Sequence, residues 1–175
     1  MKVKIGILYA TVDGQTLKIC NKLKDELEKA NNSVELYSIE NFNKEISDFD
    51  KFIIGSSIRY GVHHKKIIEF INTNKVKLDT IKNVFFSVNL VARKSEKNTP
   101  TTNPYVIKFF KTINWKPSII EVFAGKLDYK KYPFFDRIMI RFIMWMTKGP
   151  TNTNAKIEYT NWDKVKAFSE RINNL

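Results

Sequence analysis

A chain of 175 residues with 43% hydrophobic content is long enough to bury one core, and 30 basic against 18 acidic side chains leave a net charge of +12. The single cysteine, Cys20, excludes an intramolecular disulfide and a cysteine-cluster metal site, and the amino terminus enters strand pattern at once with no signal-peptide pattern. The charge suits nucleic acid, an anionic membrane surface or an acidic small molecule.

Val3, Ile5, Ile7 and Tyr9 alternate with Lys4, Gly6 and Leu8, which predicts a buried first strand. It runs into Thr11-Val12-Asp13-Gly14-Gln15-Thr16. Ile19, Cys20, Leu23 and Leu27 then fall at helical spacing, with Lys18, Lys22, Lys24 and Asp25 opposite. A strand that feeds a short hydroxyl- and glycine-bearing loop and then a helix aims N–H groups and a positive dipole end at the loop, an arrangement suited to phosphate. Thr11 and Thr16 add hydroxyl donors, and Gly14 permits close backbone approach. The same six residues also read as an ordinary turn capped by Asp13. Neither G-x-x-x-x-G-K-[ST] nor G-x-G-x-x-G occurs, which excludes a nucleoside-triphosphate loop and the dinucleotide fingerprint.

After an Asn31-Asn32 turn, Ser33–Ile39 gives a second strand, and a polar stretch, Asn41–Asp48, leads to a third at Phe49–Gly55. That strand ends in a second small-residue loop, Gly55-Ser56-Ser57-Ile58-Arg59-Tyr60-Gly61. A helix over Lys65–Asn72 follows, burying Ile67, Ile68 and Ile71. Val84–Val88 is a fourth strand with the loop Asn89–Arg93 at its end. Lys94–Asn103, charged and rich in threonine, reads as an exposed excursion. Tyr105–Ile113 is a helix and Ile119–Ala124 a fifth strand. Alternating strands and helices predict an α/β fold, a doubly wound five-stranded parallel sheet of order 2-1-3-4-5. The loops after strands one, three and four then converge on one crevice.

Between strand five and a last helix at Trp162–Asn174, capped by Thr160 or Asn161, lies a helical insertion, 127–160. With it the chain, 1–175, reads as a single domain. The insertion's apolar core, Tyr132–Lys148, would span about 25 Å as a helix, short of a bilayer, and Arg137 and Arg141 share one side of it. It is either a core helix or an interfacial one with arginines at headgroups and Phe, Trp and Met toward acyl chains or a greasy substrate. His63 and His64 follow the third strand's loop, where an imidazole could move protons, although loop histidines are common. No carboxylate pair, nucleophile–base pair or metal-ligand spacing is visible, so a reaction here would need a cofactor.

Taken together, Thr11–Thr16, Gly55–Gly61 and Ser87-Val88-Asn89-Leu90-Val91-Ala92-Arg93-Lys94 resemble the flavin-dependent protoporphyrinogen IX dehydrogenases of the long-chain flavodoxin superfamily. Lys97-Asn98-Thr99-Pro100, the Asp136-Arg137 pair and Tyr159-Thr160-Asn161-Trp162 extend the likeness over the whole chain. The resemblance implies a flavodoxin-like fold, FMN as cofactor, a porphyrinogen substrate, a respiratory quinone of the menaquinone type as acceptor, and a place at the inner face of the cell membrane. It implies that Thr11, Gly14, Gln15 and Thr16 hold the FMN phosphate, with Asp13 beside them capping the helix and pointing away. Ser56, Ser57, Ile58, Arg59 and Tyr60, with Ser87, Val88, Asn89, Leu90 and Val91, would flank the ribityl chain and ring. Asn154, near Gly149-Pro150-Thr151, would sit in a loop that also reaches the flavin. His63, His64 or Arg59 would assist proton transfer, and Arg93, Lys94, Phe135, Arg137, Arg141 and Trp145 would form a substrate or membrane surface. Leu90 and Val91 stand where electron-shuttling flavodoxins usually carry an aromatic cover, and the basic charge contrasts with their acidity. Both favour an enzyme over the alternatives, an FMN electron carrier or an NAD(P)H:quinone reductase. Scattered lysines are the only support for nucleic acid, which is not expected as a partner.

Overall fold

Strands that are apolar on both faces must be covered on both, and the chain does this with helices. In the computed structural model, which describes residues 2–175, β1 (Lys4–Ala10) leads into α1 (Gln15–Lys29) and β2 (Ser33–Ser38). Then come β3 (Lys51–Arg59), β4 (Val62–His63), α2 (Lys65–Asp79), β5 (Lys82–Asn89), α3 (Pro104–Thr112) and β6 (Ile119–Ala124). The five long strands pair in parallel in the order β2-β1-β3-β5-β6, and β4 turns back antiparallel on β3. This is the predicted doubly wound order, with the crevice at the carboxyl ends of β1, β3 and β5.

Strand alternation divides the core in two. Ile5, Ile7, Ile53, Val84, Phe86 and Phe123 face Ile19, Leu23 and Leu27 of α1, together with Val165, Phe168 and Ile172 of the last helix. Leu8, Ile54 and Phe85 face Ile67, Ile71 and Leu78 of α2, with Phe109 and Trp115. Cys20 is fully buried in the first layer. Burying this many branched and aromatic side chains, each contributing about 1.5–3 kcal/mol, is what fixes the sheet under the site.

Three expectations need correction. The third strand does not stop at Gly55: Ser56 and Ser57 pair with Ser87 and Val88 of β5, and Ile58 and Arg59 pair with His63 and Val62. The predicted loop shrinks to a two-residue turn, Tyr60-Gly61, with φ of 51° and 77°, the left-handed pair that a tight hairpin requires. The second helix runs past Asn72 to Asp79, because Leu78 returns to the core and the intervening polar residues lie on the outer side. The excursion 94–103 is pinned rather than free. Asn103 is wholly buried, caps α3 through the amides of Tyr105 and Val106, and donates to the Lys97 carbonyl.

The segment after β6 forms β7 (Lys126–Asp128), α4 (Phe134–Met146) and β8 (Lys156–Glu158), followed by α5 (Trp162–Asn173). Strands β7 and β8 pair antiparallel, and Leu127, Tyr129, Tyr132 and Met144 make a small core under them. Asn161 caps α5 by accepting from the Lys164 amide, whereas Thr160 turns inward to the Ala124 carbonyl. The core-helix reading of α4 does not survive. Only Asp136 and Met144 of that helix are buried.

Candidate functional site

The first turn is built by its backbone. Gly14 takes φ 84°, a left-handed value that glycine adopts without strain, and is the N-cap of α1. Its amide donates to Thr11 Oγ1 at 3.0 Å. No side chain caps the helix, and its first turn carries no acid, so its leading N–H groups and positive dipole end are open to an anion. Asp13 does not cap the helix, contrary to expectation. Its carboxylate lies 3.4 Å from Arg59, an attraction from the next loop that the local sequence does not contain. Burial raises its pKa, partly offset by that guanidinium.

Thr11, Asp13, Gln15 and Thr16 line a cavity of about 420 Å³ with Ser57, Ile58, Arg59 and Tyr60 after β3 and Val88, Asn89, Leu90 and Val91 after β5. That volume lies within the range of small-molecule sites. Thr16 Oγ1 and Ser57 Oγ are buried in its wall and have no hydrogen-bond partner. Orphaned buried hydroxyls are costly in an empty fold and useful to a polar ligand. Gln15 spends its amide on Thr160 Oγ1 at 2.9 Å, tying the helix start to the chain before α5.

Ser56 and Ser87 stand behind the wall rather than in it. Ser56 Oγ accepts the His64 amide at 3.3 Å, and Ser87 Oγ meets His63 Nε2 at 2.9 Å and accepts from Asn89 Nδ2 at 3.2 Å. His63 is only 4% exposed, with its ring against Phe109 at 4.4 Å between centroids. Burial pushes its pKa down to about 3, so it stays neutral and away from the cavity. The hairpin turn has carried it under α3 instead of leaving it at the crevice mouth. His64 forms the N-cap of α2, also outside the cavity wall, and its Nδ1 is buried without a partner.

Sequence reasoning missed the roof. Met139, Ile140, Ile143 and Met144 of α4 close the cavity from above, with Tyr105 and Tyr132 at its sides. The roof is held by charge. Asp136, buried at the start of α4, receives hydrogen bonds from both Arg59 and the Tyr60 hydroxyl. Arg59 thus bridges the first turn, through Asp13, to the roof. At the far end Arg93 donates to Thr147 Oγ1 at 2.7 Å. The outward side of the same helix is apolar as well: Phe135 is 82% exposed, Trp145 68%, and Phe134, Ile138, Phe142 and Met146 lie open beside them. Arg141 and Lys148 are exposed on this helix and its end, whereas Arg137 is half-buried and donates to the Tyr132 carbonyl. Lys94 is half-buried outside the cavity wall, and exposed Asn154 does not reach it either. Among the described residues, no helix is long and apolar enough to cross a membrane.

An open helix start at the carboxyl edge of a doubly wound parallel sheet, facing a cavity roofed by an extra helix, defines a flavodoxin-type nucleotide site. The chain belongs to the flavodoxin domain family, whose model matches residues 6–154. It is 38% identical over 174 residues to a protoporphyrinogen IX dehydrogenase (quinone) of Escherichia coli (strain K12), covering 99% of this chain and 96% of that one. It is 39% identical over 168 residues to a protein of the same name from Leishmania major, covering 95% and 73%. Among solved structures, a flavodoxin from the domain Archaea matches with a TM-score of 0.54 at 13% identity, over 98% of this chain and 96% of that one. This last likeness shows the fold alone.

Proposed function

We propose that the chain is an FMN enzyme that oxidises a protoporphyrinogen to the porphyrin and passes the electrons to a membrane quinone. The observation that carries this is the cavity: an uncapped helix start with two orphaned hydroxyls at one side and an apolar roof at the other. The full-length likeness to proteins of that named activity supports the choice of substrate.

The residues fit the cofactor. The N–H groups at the start of α1, with Thr11 and Thr16, would hold the phosphate. Ser57–Tyr60 and Val88–Val91 would flank the rest of the molecule, Ser57 Oγ supplying a donor. FMN, when bound, supplies hydride acceptance and onward electron transfer. The protein's part is to bind, orient and exclude. Leu90 and Val91 leave the flavin side less covered than an aromatic ring would. Met139, Ile140 and Ile143 offer apolar contact to a flat greasy substrate and keep bulk water from it. Among the described residues no histidine lines the cavity, so protons released in the reaction would leave to water at its mouth rather than through His63.

The outward face of α4 supports a further part of the reading, peripheral attachment to an anionic membrane. A helix too short to span, with Phe135 and Trp145 exposed and Arg141 and Lys148 nearby, suits the headgroup boundary. The menaquinone type of acceptor and the inner face of the cell membrane follow from the same reading. Steady-state porphyrin fluorescence tests it. Protoporphyrinogen turnover that needs both added FMN and a quinone is expected. Rapid flavin reduction by a reductase with no porphyrin formed would favour an electron carrier, and nicotinamide oxidation a quinone reductase.

A further inference from the structure

We propose that Arg93 is the carboxylate anchor of the crevice, the cation that receives a propionate of the tetrapyrrole, an inference that rests on the porphyrinogen reading above. Three basic side chains line the cavity among the described residues: Arg59, Lys126 and Arg93. Two are already neutralised. Arg59 pairs with Asp13 and Asp136, and Lys126 Nζ lies 3.8 Å from Asp128. Arg93 has neutral partners only: the Leu90 carbonyl at 3.0 Å on Nη1, and Thr147 Oγ1 at 2.7 Å and the Thr147 carbonyl at 3.4 Å on Nη2.

Those partners set the guanidinium rigidly without cancelling its charge. Thr147 ends α4, and its hydroxyl in turn donates to the Ile143 carbonyl at 2.7 Å, so the chain of hydrogen bonds is closed. The carboxyl end of a helix also favours a cation. Room for the group comes from Gly149, where a Cβ would stand 2.9 Å from Nη2. A guanidinium has five N–H donors, and these three contacts leave two, on Nε and Nη1, for a carboxylate.

The surroundings select the ligand. On Arg93's side the wall is Leu90, Val91, Ile143 and Met144, which suits an apolar body with an acid at its edge. The cofactor's phosphate has its own place at the start of α1. One free cation in an apolar wall is therefore left for a carboxylate of the substrate.

The test uses the FMN-loaded protein and follows binding of protoporphyrin IX and of its dimethyl ester by porphyrin fluorescence, in wild type, Arg93→Gln and Arg93→Lys. The wild type is expected to hold the diacid about tenfold more tightly than the ester, as a charge-assisted pair should. Arg93→Gln should lose that preference and bind both like the ester, Arg93→Lys should keep part of it, and FMN affinity should not move. A wild type without preference, an equal loss for both ligands, a preference that survives Arg93→Gln, or weakened FMN binding would each overturn the assignment. The two readings separate cleanly. Diacid preference lost in Arg93→Gln without any protoporphyrinogen oxidation keeps the anchor and removes the enzyme, and turnover with the preference intact in Arg93→Gln does the reverse.

Discussion

Acid should weaken this fold through His63. In the folded chain the imidazole is neutral, pushed down to about 3 by burial against Phe85 and Phe109, whereas in the unfolded chain it titrates near 6.5. Between those two values the unfolded state binds the extra proton, so stability falls as pH falls, by about 1.4 kcal/mol per pH unit at most. Above pH 6.5 both states are neutral and the contribution vanishes. From pH 7.5 to 4.5 the loss comes to about 2.7 kcal/mol for this one group, a large share of a typical domain's stability. Urea unfolding of wild type and His63→Gln across that range isolates the term, because carboxylates such as Glu26 affect both proteins alike. The wild-type curve should fall more steeply between about pH 6.5 and 3, and the two curves should run parallel below about pH 3. Curves parallel over that interval as well, or an imidazole that titrates near 6 by NMR in the folded protein, would refute the burial argument and return His63 to the list of proton carriers.

Thr16→Val removes an orphaned hydroxyl, so it should leave the melting temperature unchanged or raise it slightly while weakening FMN binding about tenfold, read by flavin fluorescence; a lower melting temperature with unaltered FMN affinity would contradict the assignment. Asp136→Asn should free the roof, since Arg59 then keeps only Asp13, at a cost of about 1–3 kcal/mol given the partial exposure of the arginine. Limited proteolysis should cut within 134–146 sooner than in wild type, and an unchanged cutting rate would show that the ion pair does not hold α4. Phe135→Glu with Trp145→Glu should abolish sedimentation with phosphatidylglycerol vesicles and leave melting unchanged, because both side chains face solvent; full retention on the vesicles would remove the membrane from the account.

What the sequence made legible was local. Apolar runs gave the five strands and their order, and glycine between hydroxyls before a helical run gave the first turn, because those signals lie within a few neighbouring residues. Long-range choices were hidden. Asp13 reads as a cap until Arg59, 46 residues away, attracts it. The helix 134–146 is apolar almost all round, and periodicity cannot tell a roof from a core helix. Its facing is decided by Asp136 meeting Arg59 and Tyr60, and by Met144 entering the small core below. His63 looked like a loop residue because the hairpin that buries it depends on a left-handed Tyr60, an unusual conformation for that residue. Gly61 beside it was the available sign of a tight turn.

The most direct measurement is anaerobic. Protoporphyrinogen is added to the FMN-loaded protein without quinone, and the flavin absorbance is followed before a quinone is introduced. The account predicts that the visible flavin band bleaches on mixing, that porphyrin absorbance appears in proportion, and that the flavin band returns when quinone is added. A flavin band that stays unbleached by the porphyrinogen, in a protein shown to bind FMN, would contradict it.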